Sequence, residues 1–231
     1  MAILNLPDVT LMAIDCVNPG RTLKALYYSS NLCNFGDIIL LTDTKRWSPD
    51  FFEPKIKGLR TIHHVQGADR MEYELAVHRE PIKHLKTPFM LFSEWDSSVL
   101  NPLAWDDFFL EFDYIGAPWI DHNDPGFPAC DDSNRVGNGG FALKSARWCQ
   151  VIAELSINAH DTAPQRISDS WACRTMRDEL KKRGIEFADE ATASRFSCEN
   201  RIYTGQFGYH GKTTMAMNGW GIKSLRDAYA R

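Results

Sequence analysis

The sequence predicts an α/β fold: one mainly parallel central sheet flanked by helices. Three observations carry that expectation. Short apolar runs at residues 9–14, 37–42, 59–65 and 88–93 alternate with helix-length stretches through the first half of the chain. No repeat or linker-like segment divides the 231 residues, so one core spanning residues 1–231 is expected. Acidic residues stand where three of the apolar runs end, at Asp15, Asp43 and Glu94-Trp95-Asp96. In open parallel sheets ligands bind beyond the carboxyl ends of the strands, so these exits are expected to converge on one pocket.

Residues 9–14 read as a buried strand closed by Asp15, with Asn18 as helix cap, Pro19 as first helical residue and the helix running to about Leu32. Residues 37–42 form the next strand with Asp43 at its exit, and this βαβ pattern predicts a parallel pair. Residues 59–65 make a third strand. From Asp69 to Leu85 the spacing of Met71, Leu75, Ile82 and Leu85 is helical, with Pro81 kinking or splitting the helix. Residues 88–93 are a fourth strand, running directly into Glu94-Trp95-Asp96. Residues 102–112 suit a helix, 113–118 a short strand closed by proline, and 121–135 a surface loop of the length that often carries function. Glycines lead residues 136–143 into another strand, and Ser145 opens a helix to about Leu155. Ser168 and Asp169 precede a long helix from Trp171 to Arg183, stopped by Gly184. A last short strand falls at 185–188.

Composition narrows the function classes. Hydrophobic residues at 44% and charged residues at 24% are ordinary globular usage, which argues against disorder or a fibrous chain. Twenty-six basic against 30 acidic residues, with no basic run, argue against broad nonspecific nucleic-acid binding. No apolar stretch approaches the roughly 20 residues of a membrane span. The N-terminus lacks the pattern of a signal peptide, so a cytoplasmic location is expected. The six cysteines lie far apart without zinc spacing and read as small buried hydrophobes.

Four sets of residues are candidates for chemistry. In an extended segment Glu94 and Asp96 project to one side while Trp95 faces away. Two carboxylates so close repel each other, and a hard divalent ion such as Mg²⁺ or Mn²⁺ removes that cost; a solvated acidic turn is the alternative. His210, bracketed by Gly208 and Gly211, suits the third position of a metal shell, or a tight turn bonded to backbone. Gly137-Asn138-Gly139-Gly140 offers unobstructed backbone amides to a sugar hydroxyl or phosphate, or a simple bulge; it lacks the P-loop lysine and the dinucleotide fingerprint. Asp169, at a helix start whose dipole is expected to keep it ionised, suits either helix capping or a base that takes a proton from an attacking hydroxyl.

Four motifs in order, Glu94-Trp95-Asp96, Phe112 to Trp119 (FDYIGAPW), Val136 to Phe141 (VGNGGF) and Phe207 to Gly211 (FGYHG), resemble a family of GT-A-like glycosyltransferases over roughly residues 8–211. The resemblance implies a single GT-A-like, Rossmann-like domain and a metal-dependent enzyme that transfers a sugar from a nucleotide diphosphate, a UDP-sugar foremost. Glu94-Trp95-Asp96 then stands at the D-x-D position, with Asp96 and Glu94 as ligands of Mn²⁺ or Mg²⁺ and His210 completing the set. Asp169 matches the acidic residue near the acceptor and is the implied catalytic base, with Ser168 where a glutamate of the usual pair is expected. Asp15 and Asp43 correspond to the nucleotide edge. Glu94, Trp95, Gly139 and Gly140 join them in holding the nucleotide sugar. The acceptor class stays open among a glycan, a lipid-linked sugar, a protein and a modified nucleic-acid base. A nucleotidyltransferase is the rival enzyme, although its basic glycine-rich N-terminal loop is missing. A catalytically inactive nucleotide- or carbohydrate-binding module is the rival outside enzymology.

Overall fold

The structure is a computed structural model that describes residues 3–48, 50, 52–53, 55–65, 70–120, 126–159 and 168–220. Asp69 and part of the expected 121–135 loop lie outside the described residues. The first strand, β1 (Leu4–Ile14), leads through α1 (Pro19–Leu32) to β2 (Cys33–Thr42) and then β3 (Leu59–His63). Next come α2 (Arg70–Arg79), α3 (Pro81–His84), β4 (Phe89–Ser93) and β5 (Ser97–Val99). The later elements are β6 (Tyr114–Gly116), β7 (Phe141–Ser145), α4 (Ala146–Ser156), α5 (Arg177–Lys182), α6 (Glu190–Phe196), β8 (Ser197–Glu199), β9 (Gly208–His210) and α7 (Lys212–Met217).

The central sheet has the order β3-β2-β1-β4-β7-β6, with β3, β2, β1 and β4 paired in parallel. β7 is antiparallel to both neighbours, so it alone runs against the other five strands. The expected mainly parallel sheet is therefore present. A small second sheet, β5-β9-β8, lies beyond the carboxyl end of β4.

Strand alternation places apolar side chains on both faces of the central sheet, the pattern of a sheet covered on each side. Leu11, Ala13, Leu91, Phe141 and Leu143 belong to one buried cluster. Met12, Ile14, Phe92 and Ala142 belong to the other, which packs against α2, α4 and the Trp171 region. By the same alternation Lys144 falls on the Ala142 face, a polar residue in an apolar layer.

Several expected elements differ in detail, each for a local reason. β1 begins five residues earlier than the expected strand, and its register with β2 shifts between Leu6 and Thr10, across Pro7, which has no amide hydrogen for a ladder. Asn18 occupies the cap position of α1 without a side-chain bond; Asp15 instead holds the turn before the helix, accepting Val17 N and Asn18 N at 2.9 and 2.8 Å, and ties it to α1 by accepting Thr22 Oγ1 at 2.7 Å. The expected helix over 102–112 is two 3₁₀ turns, Pro102–Ala104 and Asp107–Glu111, because Asn101 and Asp106 each cap a separate start. The expected strand over 185–188 reduces to a single bridge between Phe187 and Tyr114. The long helix expected from Trp171 to Arg183 is broken. Trp171–Thr175 is π-helical, closed by Met176 N bonding Trp171 O at 2.9 Å, before α5 resumes. Elsewhere α1, the split at Pro81 and the Ser145 cap of α4 stand as expected, with Ser145 Oγ accepting Trp148 N.

Leu91 sits on β4 between Leu11 and Leu143 and is fully buried. Leu91→Ala should lower unfolding free energy in urea by about 3 kcal/mol. The control Leu103→Ala, at an 85% exposed residue, should change it by less than about 0.5 kcal/mol.

Candidate active site

The junction after β4 is a turn, not the extended segment expected from the sequence. Ser97 N bonds the Glu94 carbonyl at 3.2 Å and Ser97 Oγ bonds it at 2.9 Å, folding the acidic tripeptide back on itself. Glu94 N bonds the Gly140 carbonyl at 2.8 Å, which carries the β4–β7 ladder one residue beyond β4. The two carboxylates are thus aimed by a turn and not by strand alternation.

β9 delivers the third member. Its end residue His210 pairs with Ser97 of β5 and with Glu199 of β8. His210 Nε2 lies 3.4 Å from Glu94 Oε2 and 3.6 Å from Asp96 Oδ1. One ligand atom from each of Glu94, Asp96 and His210 falls within 4.8 Å of the others. The sequence expectation that these three gather is met in their geometry. The far side of the imidazole is held by a carboxylate rather than the backbone: His210 Nδ1 is 3.0 Å from Glu199 Oε1. Gly140 is required by this approach, since a Cβ there would lie 2.1 Å from His210 Nε2.

The electrostatics follow from packing acids around one base. Burial alone would lower the His210 pKa, but hydrogen bonds to Glu199 and Glu94, and the charges of Glu199 and Asp96, outweigh it and hold the value well above the usual imidazole range. Burial pushes Glu94 up, yet His210 and the Tyr73 hydroxyl, which donates to Glu94 Oε1 at 2.8 Å, bring it below the ordinary carboxylate range. Asp96 goes the other way, raised by burial and the neighbouring Glu94 charge against the opposing pull of His210. Its Oδ1 is buried and has no hydrogen-bond partner. An acceptor left without a hydrogen bond in the interior is costly, and a bound cation would offset that cost. Two carboxylates and an imidazole suit Mn²⁺ or Mg²⁺, with the imidazole favouring Mn²⁺, and a histidine whose other nitrogen is held by a carboxylate is a common metal-ligand arrangement.

Beside this cluster lies a pocket of about 130 Å³ whose lining includes Tyr73, Glu94, Gly140, Lys144, Asp169 and His210. Asp169 Oδ2 accepts Gly139 N at 3.0 Å and its Oδ1 accepts Ser170 N at 2.8 Å. Contrary to the helix-dipole expectation, burial is the largest influence on Asp169. Burial and the Glu199 and Glu94 charges raise its pKa despite the Gly139 bond. Lys144 is buried with its ammonium 4.7 Å from the Phe92 ring centre, and burial lowers its pKa.

Asp15 and Asp43 do lie on the same carboxyl edge, at the ends of β1 and β2, but neither lines the pocket. Asp15 is engaged at the entry of α1. Asp43 accepts Lys45 N and Arg46 N and sits 3.8 Å from His63 Nδ1. Trp95 carries two cations, Arg21 at 4.2 Å and Lys212 at 4.9 Å from the ring centre. Sequence reasoning missed Tyr73, Lys144 and Glu199. Only Glu199 left a trace, as an acid shortly before the FGYHG motif.

The profile of a family described as "Protein of unknown function (DUF5672)" matches residues 73–213, more than half of the chain and the whole of this site. The chain belongs to the DUF5672 family. No curated protein matches it. Among solved structures, the apo form of the glycosyltransferase GlyE of Streptococcus pneumoniae TIGR4 is 11% identical with a TM-score of 0.50, over 88% of this chain and 54% of that one. The bifunctional IspDF of Campylobacter jejuni is 13% identical with a TM-score of 0.46, over 78% and 48%. The 4-diphosphocytidyl-2C-methyl-D-erythritolsynthase of Anaerococcus prevotii DSM 20548 is 13% identical with a TM-score of 0.43, over 78% and 84%. The chain thus spans about half the length of GlyE and of IspDF. At these identities the likeness to GlyE is one of fold, in agreement with the α/β sheet described above. Among the described residues no helix is long and apolar enough to cross a membrane.

In the metal-free chain the raised His210 pKa means the folded state holds a proton that the unfolded chain, titrating near 6.5, holds less tightly. That stabilisation is fully present below about pH 6.5 and is lost as pH rises through the folded-state value. Thermal melts in EDTA should therefore lose stability across that alkaline window in the native chain and much less in His210→Gln. Because Nε2 must shed its proton to bind metal, Mn²⁺ affinity by calorimetry should rise with pH. Glu199→Gln should weaken Mn²⁺ by about 10- to 100-fold.

Proposed function

We propose that this chain is a divalent-metal-dependent glycosyltransferase that takes a sugar from a nucleotide diphosphate, a UDP-sugar foremost. The observation that carries the reading is the cluster of Glu94, Asp96 and His210 at the carboxyl edge of the sheet, with Asp96 Oδ1 buried and without a hydrogen bond. The fold shared with a glycosyltransferase supports it. Glu94, Asp96 and His210 would hold Mn²⁺ or Mg²⁺. Bound there, a divalent ion supplies Lewis-acid neutralisation of charge on the departing diphosphate.

The chain's own residues do the remaining work. Glu199 orients the His210 ring, and Tyr73 fixes the rotamer of Glu94. Arg21 and Lys212, gathered at Trp95, add positive charge near the place where phosphates enter. Asp15 and Asp43, whose carboxylates are engaged by their own turns, would contribute to the nucleoside side only through the turns they hold at the neighbouring strand ends. Gly139 and Gly140 keep the pocket wall free of side chains. Asp169 is the candidate base: the Gly139 and Ser170 amides fix its carboxylate, and its raised pKa makes it a stronger acceptor for the proton of an attacking hydroxyl. The acceptor is a glycan, a lipid-linked sugar, a protein or a modified nucleic-acid base.

Release of sugar from UDP- and GDP-sugars with Mn²⁺ tests the reading. The native chain should turn over at least one donor, and Asp96→Ala should lose at least about 100-fold of that rate while its circular dichroism spectrum stays native. Full activity in a folded Asp96→Ala chain would remove the metal assignment; tight donor binding without turnover in the native chain would mark a binding module.

A further inference from the structure

The lining of the pocket beside the metal cluster includes two polar groups that no described residue hydrogen-bonds. Lys144 is 4% exposed and Ser168 is 6% exposed. The Ser168 hydroxyl has no hydrogen-bond partner. The Lys144 ammonium rests on aromatic faces, 4.7 Å from the centre of Phe92 and 6.0 Å from that of Tyr114. Among the described residues it forms neither a salt bridge nor a hydrogen bond. The ammonium and the hydroxyl, both largely removed from bulk water on residues that line the cavity, leave desolvation unrepaid until a ligand bonds them.

The charges around the pocket say what that partner is. Arg70 is matched by Glu74, with 2.8 Å between Nε and Oε1. Glu94 is matched by His210. Lys144 and Asp169 remain, opposite in sign and within electrostatic reach of one another. The lining therefore has no excess charge to offer a ligand. An anionic group would meet the Asp169 and Glu94 carboxylates, and a cationic one would meet Lys144, each in surroundings that screen poorly. A neutral ring bearing several hydroxyls meets neither penalty: its oxygens accept from Lys144 and Ser168, and its hydroxyls donate to Asp169.

We infer that the part of this pocket lined by Lys144 and Ser168 is a subsite for a neutral, polyhydroxylated ring, and that these two residues determine its specificity. The inference rests on the nucleotide-sugar reading above and deepens it by naming the class of transferred group: a neutral sugar in preference to a uronic acid.

Calorimetry with Mn²⁺ tests it on the full chain in two stages. UDP and GDP are titrated first, and the one that binds sets the series: UDP-glucose against UDP-glucuronate, or GDP-mannose against GDP-mannuronate. Each pair differs only by a carboxylate in place of a hydroxymethyl group. The expected result is a neutral donor bound about tenfold or more tighter than its uronate. Lys144→Met should weaken the neutral donor by about tenfold or more and leave the free diphosphate within about twofold. Should Lys144→Met fail to fold, Ser168→Ala serves, with an expected loss of about threefold or more confined to the sugar nucleotide. A uronate bound as tightly as its neutral partner overturns the inference and leaves the metal and diphosphate reading standing, as does a folded variant that binds the neutral donor normally or loses diphosphate and donor alike. If neither diphosphate binds with Mn²⁺, the nucleotide-sugar reading falls and this inference with it.

Discussion

Three carboxylates surround one imidazole at the carboxyl edge of the central sheet, and the local architecture depends on that arrangement. Glu94 and Asp96 come from the one turn after β4 and Glu199 from β8, and burial drives Glu94 and Asp96 toward protonation. His210 lets them coexist: Glu199 holds Nδ1, while Glu94 and Asp96 face Nε2. The arrangement satisfies Asp96 only in part, because its Oδ1 faces the imidazolium at 3.6 Å without a hydrogen bond. A doubly protonated imidazole is the resident cation of the metal-free chain. A divalent ion bound there would displace that proton and put a larger positive charge at the same spot, so proton and metal would compete.

The backbone constraints follow from that electrostatic one. The small β5-β9-β8 sheet exists at the mouth of β4 because His210 must pair with Ser97 on one side and Glu199 on the other to sit between the acids. The Gly140 position must lack a side chain because the ring occupies the space. The β7 strand must run opposite to β4 for the Gly140 carbonyl to receive the Glu94 amide. A strand reversal that looks like a blemish in a parallel sheet is thus what places the glycine wall against the histidine.

Much of the fold was legible in the sequence because strand and helix periodicities in the first half are undisturbed by the site. The four strands up to Ser93, the helix after Pro19 and the break at Pro81 all announce themselves through apolar runs and proline. Legibility failed where side chains compete with regular backbone. Asn101 and Asp106 divide one apolar stretch into two 3₁₀ turns, and the wide turn at Trp171 splits a helix whose periodicity reads as continuous. The site was legible at Glu94, Asp96 and His210 because acid pairs at strand ends and glycine-bracketed histidines are unusual in sequence. Glu199 was not, because its meaning lies in a cross-strand register that no spacing rule reveals. Lys144 falls between the expected strand at 136–143 and the helix opened by Ser145 and draws no reading; only the face it occupies on β7 makes it a buried cation. The expectation that Asp15 and Asp43 join the same pocket treated strand exits as equivalent, whereas their carboxylates are engaged by the turns that follow them.

The departures from regular geometry are not spread evenly, and their distribution bears on what the edge is for. The turn after Glu94, the π-helical segment whose Ala172 and Cys173 line the pocket, and the close approach at Gly140 all border one cavity. Two left-handed residues flank the same group from the small sheet: Asn200, with φ of 52°, directly follows Glu199, and Gly211, with φ of 94°, directly follows His210. Asn200 and His210 are tied together through Thr214, whose hydroxyl accepts Asn200 N and donates to the His210 carbonyl. A non-glycine residue in that region is uncommon and persists where surrounding bonds hold it. Stability alone gives no reason for a chain to collect acids, a buried lysine and strained turns around a single opening. Their coincidence at the carboxyl ends of β4 and β8, where an open α/β sheet admits its ligands, is the pattern of a site whose unmatched groups are completed by what it binds.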